Sequence, residues 1–80
     1  MQRQRFRIDG PRVRELRERA AMPQKELATG AGVSQAGLSN IELGRKGASS
    51  RTILALAREL GVGFDDITID TMKQPRALSA

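Results

Sequence analysis

Residues 24–44 read QKELATGAGVSQAGLSNIELG, and this stretch decides the fold. Apolar residues recur in it at helical spacing in two short segments, residues 24–31 and 35–43. Gly32 and Val33 join the segments, and Ser34, a favoured N-cap residue, stands at the entrance to the second. The pattern predicts a helix, a tight turn and a second helix. Leu27, Ala31, Val33, Leu38 and Ile41 fall inward on this spacing, and the small Ala28 and Gly32 are placed where the two helices approach. Gln35, Ala36, Ser39 and Asn40 are left facing outward on the second helix. Short amide and hydroxyl side chains suit the reading of base edges better than catalysis.

Working outward, the chain supplies a frame for this pair. Arg3, Arg5 and Arg7 alternate with Gln4, Phe6 and Ile8, which reads as a short strand or as a basic arm over residues 1–9. Asp9 or Gly10 can cap a first helix, with Pro11 in its first turn and an end near residue 21. Val13, Leu16 and Ala20 make its apolar stripe, and Arg12–Glu15, Arg14–Glu18 and Glu15–Arg19 are opposite charges at helical spacing. Pro23 is acceptable as the first residue of the second helix. Gly30 and Gly37 weaken the helices that contain them, while Gly32 and Gly44 serve as left-handed stops. A basic loop over residues 45–48 precedes a fourth helix over residues 51–60, capped by Ser49 or Ser50 and closed by Gly61. Ile53, Leu56, Ala57 and Leu60 form its inward stripe, with Val62 as a plug beyond it. Residues 63–67 predict a short fifth helix with Asp65 and Asp66 in its first turn. Residues 67–70 alternate and are β-branched, as a strand requires, and residues 72–80 have no period.

Composition narrows the chemistry. Eighty residues make one domain with a small core. There is no Cys and no His, which excludes disulfides and the usual zinc sites, and no cofactor is expected. No apolar run approaches the ~20 residues of a membrane span, and the Arg-rich start lacks the apolar stretch of a secretory signal. The net charge of +5 favours a polyanionic partner. An acidic membrane surface fits less well, because such helices set aromatic or Leu residues opposite the charge, and the chain has two Phe and no Trp or Tyr. An enzyme would have to draw on Ser, Lys, Asp or Glu; Asp65-Asp66 is the one adjacent acid pair, and neighbours on a helix diverge. Residues 30–32 lack the glycine spacing and Lys of a phosphate loop.

Residues 24–44 resemble the helix-turn-helix of the Cro/CI family, also called the XRE family. GPRVRELRERA at residues 10–20 is similar to that family's first helix, and SSRTILALARELGV at residues 49–62 to its fourth. The resemblance spans residues 10–67. Three positions depart from the family pattern: Pro23 replaces a Ser or Thr, Leu43 a polar residue, and Ala48 a Pro. The resemblance implies an all-α, five-helix, lambda-repressor-like domain over residues 10–67, with the short terminal strands as additions and a loose tail over residues 68–80. It implies a cytoplasmic, nucleoid-associated transcriptional regulator, most simply a repressor, that binds double-stranded DNA as a homodimer. Gln35, Ala36 and Asn40 take the family's base-contacting positions, with Ser39 able to join them. Gln24, Ser34, Arg45, Lys46 and Arg51 are the expected phosphate contacts. Phe64, Ile67 and Ile69 are spare apolar residues for a dimer interface, with residues 67–70 pairing as a strand with residues 4–8 of the same or the other subunit. Glu42 reads as structural, pairing with an Arg or capping a helix. A second reading is an antitoxin that binds a toxin, with residues 72–80 as the partner-binding segment.

Overall fold

The computed structural model describes residues 6–70. Arg3 and Arg5, read as part of a basic arm, and residues 72–80, read as a loose tail, lie outside the described residues. In chain order the elements are β1 (Phe6–Ile8), α1 (Gly10–Arg19), α2 (Gln24–Ala31), α3 (Gln35–Glu42), α4 (Ser50–Leu60), a 3-10 turn (Phe64–Ile67) and β2 (Thr68–Asp70).

Three helices, α1, α3 and α4, begin at a polar cap. Asp9 accepts a hydrogen bond from the Arg12 N–H at 3.2 Å, Ser34 from Gly37 at 2.9 Å and Ser49 from Thr52 at 3.2 Å. Pro23 differs from expectation. It precedes α2 in an extended conformation and makes no side-chain cap bond, so Gln24 is the first helical residue.

The helix ends share one device: a left-handed residue that turns the chain while the last carbonyls take up backbone N–H groups. Gly32, Gly44 and Gly61 fill it with φ of 74°, 78° and 72°. Gly32 therefore matters for its conformation and not for close approach, since a Cβ there would meet nothing within 4 Å. After α1 the position falls to Ala21, with φ 54°. There the Met22 N–H bonds the Arg17 carbonyl and the Ala21 N–H bonds the Glu18 carbonyl, both at 3.0 Å. The sequence pattern carries α1 through this residue because nothing marks Ala as a helix stop. A non-glycine residue in this region costs about 1–2 kcal/mol, and glycine's extra freedom in the unfolded chain returns about half of that. Ala21→Gly should therefore stabilise the domain by about 1 kcal/mol. In a thermal melt followed by circular dichroism this is a rise of about 4–8 °C.

Val13, Leu27, Leu38, Ile53, Leu56 and Ile67 are wholly buried side chains of one core, to which Ile8, Ala28, Ile41 and Ala57 add. Ala31, Val33, Leu60 and Val62 pack against it half-buried, whereas Ala20 is exposed beyond the end of the α1 stripe.

Among the described residues four α-helices form, not five. Residues 64–67 make a single 3-10 turn, started by the Asp66 carboxylate accepting from the Gly63 N–H at 2.8 Å. The reason lies just downstream. Thr68, Ile69 and Asp70 pair antiparallel with β1, so the chain must be extended from Thr68 onward. One turn is too short to propagate as an α-helix. The register sets Phe6 opposite Asp70, Arg7 opposite Ile69 and Ile8 opposite Thr68, all within one chain. Phe6 and Phe64 meet edge to face, 5.5 Å between centroids.

Candidate nucleic-acid interface

The exposed edge of α3 carries the residues singled out in the sequence. Gln35 and Ala36 are exposed, and Ser39 and Asn40 half-exposed, on the side opposite buried Leu38 and Ile41. Ser34 uses its oxygen as the cap acceptor, which leaves its hydroxyl proton for an external acceptor such as a phosphate.

Behind this edge lies a polar chain that begins in the interior. Glu42 is buried, with 4% of its surface exposed, and faces Arg17 of α1. Arg17 Nε reaches Glu42 Oε2 at 2.7 Å and its Nη2 reaches Oε1 at 3.2 Å, a bidentate pair. Arg17 Nη1 donates to the Met22 carbonyl at 2.9 Å. The hydrogen bond that Arg17 donates to Glu42 outweighs burial and holds the Arg17 guanidinium above its ordinary pKa. Glu42 thus pairs with an arginine, as its sequence context implied.

The chain continues outward to Gln35 at the exposed start of α3. Gln24 Nε2 donates to Glu42 Oε1 at 3.1 Å, and Gln35 Nε2 donates to Gln24 Oε1 at 3.3 Å. Its polarity has only one solution. A guanidinium only donates and a carboxylate only accepts. Gln24 must therefore turn its NH2 to Glu42 and its carbonyl to Gln35, and Gln35 must turn its NH2 to Gln24. One N–H and the carbonyl of Gln35 remain for a partner outside. That donor–acceptor pair matches N7 and N6 of adenine. Gln24 engages one amide N–H and its carbonyl inside the domain and keeps its second amide N–H. Sequence periodicity could not reveal this link, since Gln24 and Gln35 are 11 residues apart and Arg17 and Glu42 are 25 apart.

Charge is sorted by position. Each α1 arginine has a carboxylate: Arg12 and Arg19 with Glu15, Arg14 with Glu18, and Arg17 with Glu42. Among the described residues, Arg7, Lys25, Arg45, Lys46, Arg51 and Arg58 engage none. Four of these six, Arg7, Arg45, Lys46 and Arg51, lie at the sheet, the loop after α3 and the start of α4; Lys25 stands on α2 and Arg58 near the end of α4.

The three residues assigned to a dimer interface are not brought together. Ile67 is wholly buried in the chain's own core, so it offers a second copy no surface. Ile69 shares a sheet face with Arg7, whereas Phe64 packs on Phe6, which belongs to the opposite face.

A helix-turn-helix profile matches residues 13–67. The chain belongs to the XRE-type helix-turn-helix family. No curated protein sequence matches it. Among solved structures this helix-turn-helix protein is similar to the restriction-modification controller protein C.AhdI from Aeromonas hydrophila. The two are 32% identical over 71% of this chain and 86% of that one, with a TM-score of 0.69. It is similar to the DNA-binding domain of the P22 C2 repressor, 28% identical over 81% of this chain and 82% of that one, TM-score 0.70. It also resembles SinR, a master regulator for biofilm formation solved in complex with DNA, 27% identical over 72% and 94% of the two chains, TM-score 0.67. Family and neighbours make this a DNA-binding regulator and not an enzyme.

Proposed function

We propose that the protein is a sequence-specific repressor that places α3 in the major groove of a near-palindromic operator and binds it as a homodimer. The observation that carries this reading is the outward edge of Gln35, whose polarity is preset from the buried Arg17–Glu42 pair. A B-DNA major groove about 12 Å wide admits one α-helix with its N-terminal end leading. Gln35 then meets the base edges first, beside the Ala36 methyl, with Ser39 and Asn40 one turn behind. Ser34, Arg45, Lys46, Arg51 and the N–H groups that open α2 hold the flanking phosphates and fix the register. One helix reads few base pairs, so two copies on half-sites about one helical turn apart supply the affinity. Half-exposed Phe64 is one apolar contact available for that pairing.

Selection of bound sequences from random duplex DNA tests this reading. An inverted repeat is the expected product; binding that stays indifferent to sequence as salt rises defeats it. On the selected site, Gln35→Ala should relax preference at one base pair per half-site, at a cost of ~1–3 kcal/mol there. Lys46→Ala should weaken binding evenly across sequences and flatten the salt dependence. If both variants act alike on every sequence, Gln35 reads no base.

A further inference from the structure

An open groove runs between the terminal sheet, the start of α1 and the loop after α3. Arg7, Ile69, Pro11, Ile41, Arg45 and Lys46 are among the residues that line it. Its cations come from places far apart in sequence, and only β1–β2 pairing brings them together. Arg7 and Ile69 are direct cross-strand partners, so their side chains leave the sheet on the same side. That side faces the loop that carries Arg45 and Lys46.

We propose that this groove grips the sugar–phosphate backbone of DNA outside the bases that α3 reads, with Arg7 as an added phosphate contact. The inference rests on the DNA-reading role of α3 given above. Three observations carry it. Arg7, Arg45 and Lys46 are exposed and, among the described residues, without a carboxylate partner, whereas every α1 arginine has one. The one acidic residue in the lining, Asp9, is occupied as the cap of α1 through the Arg12 N–H. Between the cations the wall is apolar, with exposed Pro11 and half-buried Ile69 as its surface, which suits the deoxyribose rings joining successive phosphates. Arg45 and Lys46 belong both to this groove and to the loop beside α3. A strand of duplex held by that loop therefore continues toward Arg7. The sheet, an addition to the helix-turn-helix, thereby holds one arginine at a fixed place beside the reading helix.

The test uses the full chain and the duplex recovered by selection. Arg7→Gln removes one phosphate contact from each subunit of the dimer and should flatten the slope of log affinity against log salt by about 2, equally on selected and scrambled duplex. It should also abolish interference by ethylation of the outermost phosphate flanking each half-site, the one Arg7 contacts, while interference at the phosphates held by Arg45 and Lys46 persists. Arg7→Lys should restore the slope. Arg58→Gln, which removes an exposed cation of α4 outside the groove, should leave it unchanged. If the wild type selects a site and Arg7→Gln leaves slope and flanking interference intact, the groove takes no backbone and the inference falls while the α3 reading stands. Loss of affinity at an unchanged slope overturns it too, because it marks Arg7 as structural. If the wild type selects no sequence at all, it is the α3 reading that fails. Protection of the groove by an acidic peptide, with no change in flanking DNA contacts, also overturns the inference.

Discussion

Glu42→Ala should lower the free energy of unfolding by about 3–5 kcal/mol, read from the shift in urea midpoint at constant m-value. The size follows from what is left behind. Glu42 accepts from Arg17 twice and from Gln24 once. Its loss strands a guanidinium whose side chain is only 12% exposed. A buried charge without its partner costs far more than the intact pair contributes, because the pair itself roughly offsets its own desolvation. The double variant Arg17→Met, Glu42→Leu should therefore recover most of the lost stability. It should not recover specificity. Without a fixed acceptor at position 42, Gln24 is free to turn its amide over, and Gln35 no longer presents one N–H and its carbonyl in a set order. A stable protein with relaxed preference at the Gln35 base pair is the expected outcome. If the double variant discriminates as well as the wild type, the polar chain is a matter of stability alone.

Gly10→Ala should destabilise by about 3 kcal/mol, toward the upper end of the cost of overpacking. Helix propensity alone predicts the reverse, since Ala is the better helix residue by about 1 kcal/mol. The difference is that α1 approaches α3 here backbone to backbone. A Cβ on Gly10 would overlap the carbonyl oxygen of Ile41, and a backbone carbonyl cannot swing aside. Gly30→Ala is the matched comparison. Its Cβ would meet the Glu59 carboxylate, the free end of a flexible exposed side chain, so propensity should win and the variant should gain up to ~1 kcal/mol. Chemical denaturation of the two variants side by side checks the contrast. Equal signs would mean that the approach of α1 to α3 is not what holds position 10 to glycine.

These two sites show where sequence reading succeeds and where it stops. The residues of α3 were legible because each lies on a face set by the 3.6-residue period, and Leu38 and Ile41 inward leave Gln35 and Ala36 outward. The cap Ser34 was legible, and that of α4 was narrowed to Ser49 or Ser50, because a cap bonds a backbone N–H only three residues on. The fifth helix failed because its length is set by a strand pairing about 60 residues away in sequence, between β2 and β1. Gly30 and Gly37, read alike as weak points, prove different. Gly30 is exposed, while Gly37 is buried and a Cβ on it would press on the Ser34 cap oxygen at 3.0 Å.

By itself the sequence determined the order of the helices, their starts to within a residue, the glycine stops after α2, α3 and α4, the core stripes and the outward residues of α3. All of these are consequences of local period and local hydrogen bonding. The tertiary structure alone decided which charges are spent and which are free, because ion pairing across elements depends on which helices pack together. It decided that Gly10 marks a close approach and not a turn. It withdrew Ile67 from any interface by burying it. Above all it gave Gln35 a direction. The identity of a glutamine permits either orientation of its amide, and only a chain of contacts ending on a donor that cannot accept, Arg17, fixes which edge faces out.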